Sequence, residues 1–214
     1  MNKIIFSLAL LIACCVSQAQ PSDRYVKAMT ANLSAMDSSF RNPSALAALG
    51  SSFERIALAE KSQWIPYYYA AFCQVNVALM ENKPTQNDDI ADKVEMLVNK
   101  ADSLSPNNSE ISCLRSMIAT CRMLVNPMSR FMEYAPISES ALAQAEKLDP
   151  TNPRPHLLKG QTLKYTPEQF GGGCKTALPE LTTAVQKFES FKPAVPFAPD
   201  WGKSLAENLV KSCQ

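Results

Sequence analysis

The stretch Ser138-Glu139-Ser140-Ala141-Leu142-Ala143-Gln144-Ala145-Glu146-Lys147-Leu148-Asp149-Pro150-Thr151-Asn152-Pro153 decides the fold. Leu142 and Ala145 are three residues apart and share one helical face, and Pro150, which has no N–H and disfavours helix at the residue before it, ends the run. Asn152 followed by Pro153 reads as the start of the next helix, an N-cap with Pro at the first helical position. Working outward, the same spacing of an apolar residue, two others and an Ala recurs at three more segment ends: Ile56 with Ala59 before Trp64, Val98 with Ala101 before Pro106, and Leu181 with Ala184 before Phe188. The four Ala lie 42, 44 and 39 residues apart. Each break opens a further helical pattern, at Pro66 to Glu81, Ser109 to Val125, Pro153 to Tyr165 and Trp201 to Cys213. Ala at a fixed place lets a neighbouring helix approach, and the apolar residue three before it fills the groove between them. Helix pairs that cannot bury their faces alone must stack. Apolar residues recur at three- and four-residue spacings from Asp23 onward, and no segment alternates with period two, so the predicted fold is all-α.

Ala177-x3-Leu181-x2-Ala184-Val185, and Ser138-x3-Leu142-x2-Ala145 followed by Leu148-Asp149-Pro150, resemble the second-helix signature of tetratricopeptide-type repeats. The resemblance implies a short right-handed solenoid of antiparallel helix pairs. The first-helix signature is poorly kept: Gly160 is present, but the Trp and Tyr positions are not clean. The unit is also longer than the usual repeat. Residues 141–213 further resemble uncharacterised secreted proteins of the Bacteroidetes type, through Leu148-Asp149-Pro150-Thr151-Asn152-Pro153-Arg154, Tyr165-Thr166-Pro167-Glu168-Gln169-Phe170-Gly171-Gly172-Gly173 and Pro199-Asp200-Trp201-Gly202. That resemblance implies no particular activity.

Met1-Asn2-Lys3, the apolar run Ile4 to Ala13 and Ser17-Gln18-Ala19 follow the plan of a secretory signal peptide: a basic start, about ten apolar residues, then small residues at the cleavage site. The run is too short to span a bilayer as a helix. Residues 1–19 are therefore read as a signal peptide and residues 20–214 as a single α-helical repeat domain, exported to the periplasm or the extracellular space. A competing reading takes Leu11-Ile12-Ala13-Cys14 as a lipobox, with a lipid anchor on Cys14. Cleavage after Ala19 removes Lys3, leaving twenty basic and twenty acidic residues. Such a balance argues against electrostatic capture of nucleic acid.

Cleavage also removes Cys14 and Cys15 and leaves Cys73, Cys113, Cys121, Cys174 and Cys213. Export permits disulfides, and an odd count leaves at least one thiol unpaired. Cys113 and Cys121, eight apart on one predicted helix, are separated by about 12 Å of axial rise and cannot bond each other. Cys174 follows the Gly run and Cys213 ends the last helix. An antiparallel return of that helix after the Pro-rich segment would join them as a disulfide; otherwise Cys213 is a frayed-end thiol.

Signals for chemistry are sparse. Gly171-Gly172-Gly173-Cys174-Lys175-Thr176 has Cys where a phosphate loop needs Gly before its Lys, and no strand feeds it. A tight inter-helix turn fits it better. His156 is the single histidine, with no further ligands at helical spacing, so neither a metal site nor a triad is expected. Asp88, Asp89 and Asp92 open a helix, where acidic residues complement the dipole. No catalytic, metal or cofactor residue is assigned, and an enzyme is not expected.

Trp64-Ile65-Pro66-Tyr67-Tyr68-Tyr69-Ala70-Ala71-Phe72 is the most suggestive segment. Three consecutive Tyr span about 200° of a helix, so Tyr68 can join the core stripe while Tyr67 and Tyr69 fall toward its edge. Trp64, Tyr67 and Tyr69 are accordingly the candidate contacts for a partner, against the plainer reading of packing between repeats. Phe191 to Pro199 holds Pro193, Pro196 and Pro199 at three-residue spacing, as in a polyproline-II strap, with Phe197 and Trp201 as its anchors. The expected function is an exported scaffold that binds a protein or peptide and has no catalytic activity of its own. The alternative is a small-molecule or glycan-binding accessory protein at the cell envelope, which a pocket lined by Trp64 and Tyr67 would favour.

Overall fold

The computed structural model describes residues 22–81 and 83–214. The expected signal peptide, its cleavage site and Cys14 lie outside the described residues. Within them the chain is helical, without a strand: α1 Asp23–Ser34, α2 Met36–Ser39, α3 Pro43–Ala59, α4 Trp64–Glu81, α5 Asn87–Leu104, α6 Ser109–Met123, α7 Pro127–Leu148, α8 Arg154–Tyr165, α9 Cys174–Ser190 and α10 Lys203–Lys211.

Local chemistry sets the boundaries. Asn42, Asn108 and Asn126 each accept hydrogen bonds from the first-turn N–H groups of α3, α6 and α7, and Pro43 and Pro127 follow two of them at the first helical position. Asn152 performs the same office for α8 by accepting from the Arg154 N–H at 2.9 Å. Two later helix starts have no side-chain cap. The Thr166 hydroxyl bonds back to the Thr162 carbonyl, and a single 3₁₀ turn, Glu168–Phe170, follows it. The last helix begins at Lys203 rather than Trp201, with Gly202 at its N-cap in a left-handed conformation.

Successive helices pack antiparallel. Gly50 and Phe53 of α3 meet Cys73 and Tyr69 of α4. The Ser109 hydroxyl donates to the Ala145 carbonyl at 2.7 Å while Ser116 meets Ser138 at 2.7 Å, so α6 and α7 run in opposite senses. Helix α6 touches both α4 and α8, and each of the three lies between its sequence neighbours. Helices α4 and α6 therefore bury residues almost all round, whereas α5 and α9 show one apolar face. Ala101, Ala145 and Ala184 are fully buried. Ala59 is exposed at the end of α3, whose core face is instead Leu46, Leu49, Phe53 and Ala57. The register drawn for the first pair is thus displaced by two residues.

Most of the chain shares one core. A smaller cluster of Leu157, Ala177, Leu181, Ala184, Phe188, Ala206 and Leu209 joins α8, α9 and α10, and Trp201 packs against both. The strap between α9 and α10 is not a continuous polyproline-II segment. It turns at Val195 to Ala198, where the Ala198 N–H donates to the Val195 carbonyl at 3.1 Å and Phe197 adopts a left-handed φ of 65°.

Candidate functional site

Helix α4 carries the aromatic run. Because α3, α5 and α6 all pack against it, the residues from Ile65 to Cys73 have no solvent face. Tyr67 and Tyr69 are 6% and 3% exposed, so the expectation that they present a contact surface is not met. Tyr69 stacks on Phe53 and Tyr68 lies flat against Phe72. Trp64 stays partly exposed, with its ring edge-on to Tyr68. The strap anchors behave as its sequence suggests: Phe197 sits edge-on to Tyr25, and Trp201 stacks on Phe72 with its Nε1–H donating to the Tyr68 hydroxyl at 2.8 Å.

Beneath the strap lies a polar cluster that the sequence did not announce. Arg154, at the start of α8, is 0% exposed. Its Nη1 donates to Glu110 Oε1 at 2.9 Å, and Asn152 Nδ2 donates to the same oxygen at 2.9 Å and to the Ser109 hydroxyl at 2.9 Å. The Tyr68 hydroxyl donates more weakly to Glu110 Oε2, at 3.5 Å. The other edge of the guanidinium, Nε and Nη2, has no hydrogen-bond partner among the described residues. Aromatic faces stand there instead: Phe191 at 4.8 Å, Trp201 at 5.0 Å and Phe188 at 5.8 Å from the guanidinium carbon. Such faces attract a cation through their quadrupole, the more so away from water. Burial pushes the Glu110 carboxyl up to about 6, against the opposing pull of Arg154 and its hydrogen bonds. Burial likewise drives Tyr68 and Tyr69 well above the ordinary phenol range, so no phenolate forms there at neutral pH.

The remaining chemistry-bearing groups are spoken for. His156 has Nδ1 2.7 Å from Glu180 Oε2, while Nε2 lies 2.8 Å from Lys187 Nζ and 3.3 Å from Glu146 Oε1. The ring therefore ties α7, α8 and α9 together with both nitrogens engaged. Asp88, Asp92 and Glu95 of α5 bind Arg122 and Arg130, so these acids link α5 to α6 and α7 as well as opening a helix. Among the described residues no group of three or more His, Cys, Asp or Glu is placed to hold a metal ion. Cys73, Cys113 and Cys121 are buried free thiols. Cys174 and Cys213 form a disulfide with Cα atoms 5.1 Å apart, which pins the end of α10 to the start of α9. The Gly run makes the turn before α9: Gly171 and Gly173 hold left-handed φ of 83° and 90°, and a Cβ at Gly172 would stand 2.1 Å from the Thr166 carbonyl oxygen.

Two concavities stand out among the described residues. One, of about 260 Å³, lies between the strap and the loop before α6 and is lined by Trp64, Glu110, Leu148, Phe191 and Pro199, but not by Tyr67. The other, of about 510 Å³, is an open groove along α6 and α7 lined by Ser112, Arg115, Pro136, Ile137, Ser140 and Ala141. Helix α7 also leaves Met128 and Met132 81% and 83% exposed on another face.

No protein-family profile and no curated protein matches this chain. Among solved structures it is similar to the HusA haemophore of Porphyromonas gingivalis, at 38% sequence identity and a TM-score of 0.78, over 89% of this chain and 92% of that one. The match overturns two expectations drawn from the repeat-like spacing, a scaffold function and a protein or peptide partner, because the matched protein is a haemophore. It favours the small-molecule alternative. With that identity over nearly the full length of both chains, the protein belongs to the family of the HusA haemophore.

Proposed function

We propose that this protein is an exported haem carrier, a binding protein that takes up an iron porphyrin as cargo and performs no chemistry on it. The observation that carries the reading is the 38% identity to a haemophore across nine-tenths of both chains. Export outside the cytoplasm is supported by the signal-peptide pattern ending at Ala19 and by the Cys174–Cys213 disulfide, which suits an oxidising compartment. The antiparallel helix pairs, with Ala101, Ala145 and Ala184 buried, support a tetratricopeptide-like array as the frame.

The chain's one imidazole is held by Glu180, Lys187 and Glu146, so iron ligation by His156 is not part of the reading. Affinity comes instead from removing the apolar porphyrin faces from water and from pairing the propionates with cations. The test is a titration of the purified protein beginning at Gln20 with hemin, followed through the Soret band. A saturable shift with one-to-one or small whole-number stoichiometry is expected. A spectrum identical to free hemin throughout the titration overturns the reading.

A further inference from the structure

We infer that the haem-binding surface is the groove between α6 and α7, with the ring against Pro136, Ile137 and Ala141 and one propionate on Arg115. This assignment rests on the haem-carrier reading above. Size separates the two concavities first. Small-molecule sites run from about 300 to 1,000 Å³; the groove, at about 510 Å³, falls inside that range and the cavity under the strap, at about 260 Å³, falls below it. The smaller cavity is also walled by the chain's own Phe191 to Pro199, whereas the groove is open along one side of α7.

Chemistry points the same way. Ile137 is 50% exposed, and with Pro136 and Ala141 it forms an apolar wall that no helix among the described residues covers. Ser112 is buried on α6 and makes the floor. Arg115 is the one charged side chain among the described residues lining the groove. Asn99 and Asp102 of α5 each accept from it at 3.1 Å, through Nη1 and Nη2. Those bonds hold the guanidinium on the α5 side of α6, at the border of the groove, and with five N–H donors it retains capacity for a carboxylate. An apolar plate with an acidic edge matches an apolar wall ending at a positioned cation. Met132 and Met128 lie one turn apart on α7, about 140° and 180° round the helix from Ile137, so they form a separate face.

The experiment compares hemin affinity of the wild-type protein with Ile137→Glu, Arg115→Gln and Met132→Glu, after circular dichroism and thermal unfolding show each variant folded. Ile137→Glu places a charge against the ring and should weaken hemin by at least about tenfold, while Met132→Glu leaves it unchanged. Arg115→Gln should abolish any preference for hemin over its dimethyl ester, a readout that loss of packing alone does not move. Wild-type binding with Ile137→Glu equally tight overturns the site and leaves the haem-carrier reading standing. So does an effect confined to Met132→Glu. Self-association that Ile137→Glu abolishes at unchanged hemin affinity assigns the groove to a second copy of the chain and overturns the site too. Wild-type protein that does not bind hemin at all overturns both.

Discussion

Replacing Glu110 with Gln should make the protein more stable at neutral pH relative to acid, although Glu110 sits in a buried ion pair with Arg154. Burial lifts the carboxyl from its ordinary 4.5 to about 6, so the desolvation of the charge outweighs the attraction of the guanidinium. A carboxyl whose folded value is raised binds its proton more tightly in the folded state. Its contribution to stability is therefore complete below pH 4.5 and is lost as pH rises through about 6. At about 1.36 kcal/mol for each pH unit, the loss amounts to about 2 kcal/mol. Gln stays neutral throughout and still offers an acceptor oxygen to Arg154 and Asn152. The assay is urea unfolding of the two proteins between pH 4.5 and 8. The stability difference, variant minus wild type, should climb by about 2 kcal/mol across that interval. Subtraction cancels groups that titrate in both proteins, such as Asp88 and Glu180, whose values are lowered by their Arg, Lys and His partners. A flat difference, or one that falls with rising pH, refutes the reasoning, because the first shows that the ion pair fully offsets its burial and the second that it more than does so.

Three further outcomes follow from the packing. Cys213→Ser opens a loop with a sequence separation of 39, and in the chain-entropy view this costs roughly 3–4 kcal/mol, read as a lower thermal midpoint that reducing agent reproduces in the wild type. Ala145→Leu inserts bulk where Ala145 is fully buried and its carbonyl accepts from Ser109; the expected cost is on the order of 1–3 kcal/mol, and an unchanged midpoint removes the case for close contact there. Gly172→Ala sets a Cβ 2.1 Å from the Thr166 carbonyl oxygen, so the turn before α9 must distort; expression and midpoint should both fall, whereas Gly171→Ala meets no neighbour and suffers only its left-handed φ.

The helical class was legible because Asn and Pro punctuate this chain at places where backbone physics leaves little choice. Asn42 satisfies early N–H groups of α3, which begins with Pro43; at α8 the start falls one residue later than the sequence suggests, with Pro153 as the N-cap and Asn152 accepting from the first helical N–H, that of Arg154. The disulfide was legible for a related reason: a short antiparallel return constrains where its two ends meet, and Cys174 and Cys213 are those ends. Periodicity failed where its premise failed. It assumes one buried face, but α4 is enclosed by α3, α5 and α6, so Tyr67 and Tyr69 went inside with Tyr68. At Ala59 the three-residue spacing was present, but α3 ends there, so nothing packs on it.

The buried polar cluster and the open groove were harder to see for a deeper reason. Glu110 and Arg154 are separated by 44 positions and come together only because α6 packs beside α8. Their pairing has no local pattern beyond Asn152, which is both a helix cap and a ligand of Glu110. The groove is defined by something still less local, the absence of a neighbour among the described residues. Ile137 is spaced like a core residue, four before Ala141, and a sequence reader assigns it to packing. Whether such a residue is covered depends on how far the adjoining helices reach. Helix α7 runs 22 residues beside an α6 of 15 and meets α8 near its own C-terminal end, through Glu146 and His156. The first half of α7 is thereby left apolar and open. A surface of that kind depends on which helix lies alongside, and Ser116 brings α6 level with Ile137 while α8 meets α7 through Glu146, so the spacing that revealed the frame was silent on the open face.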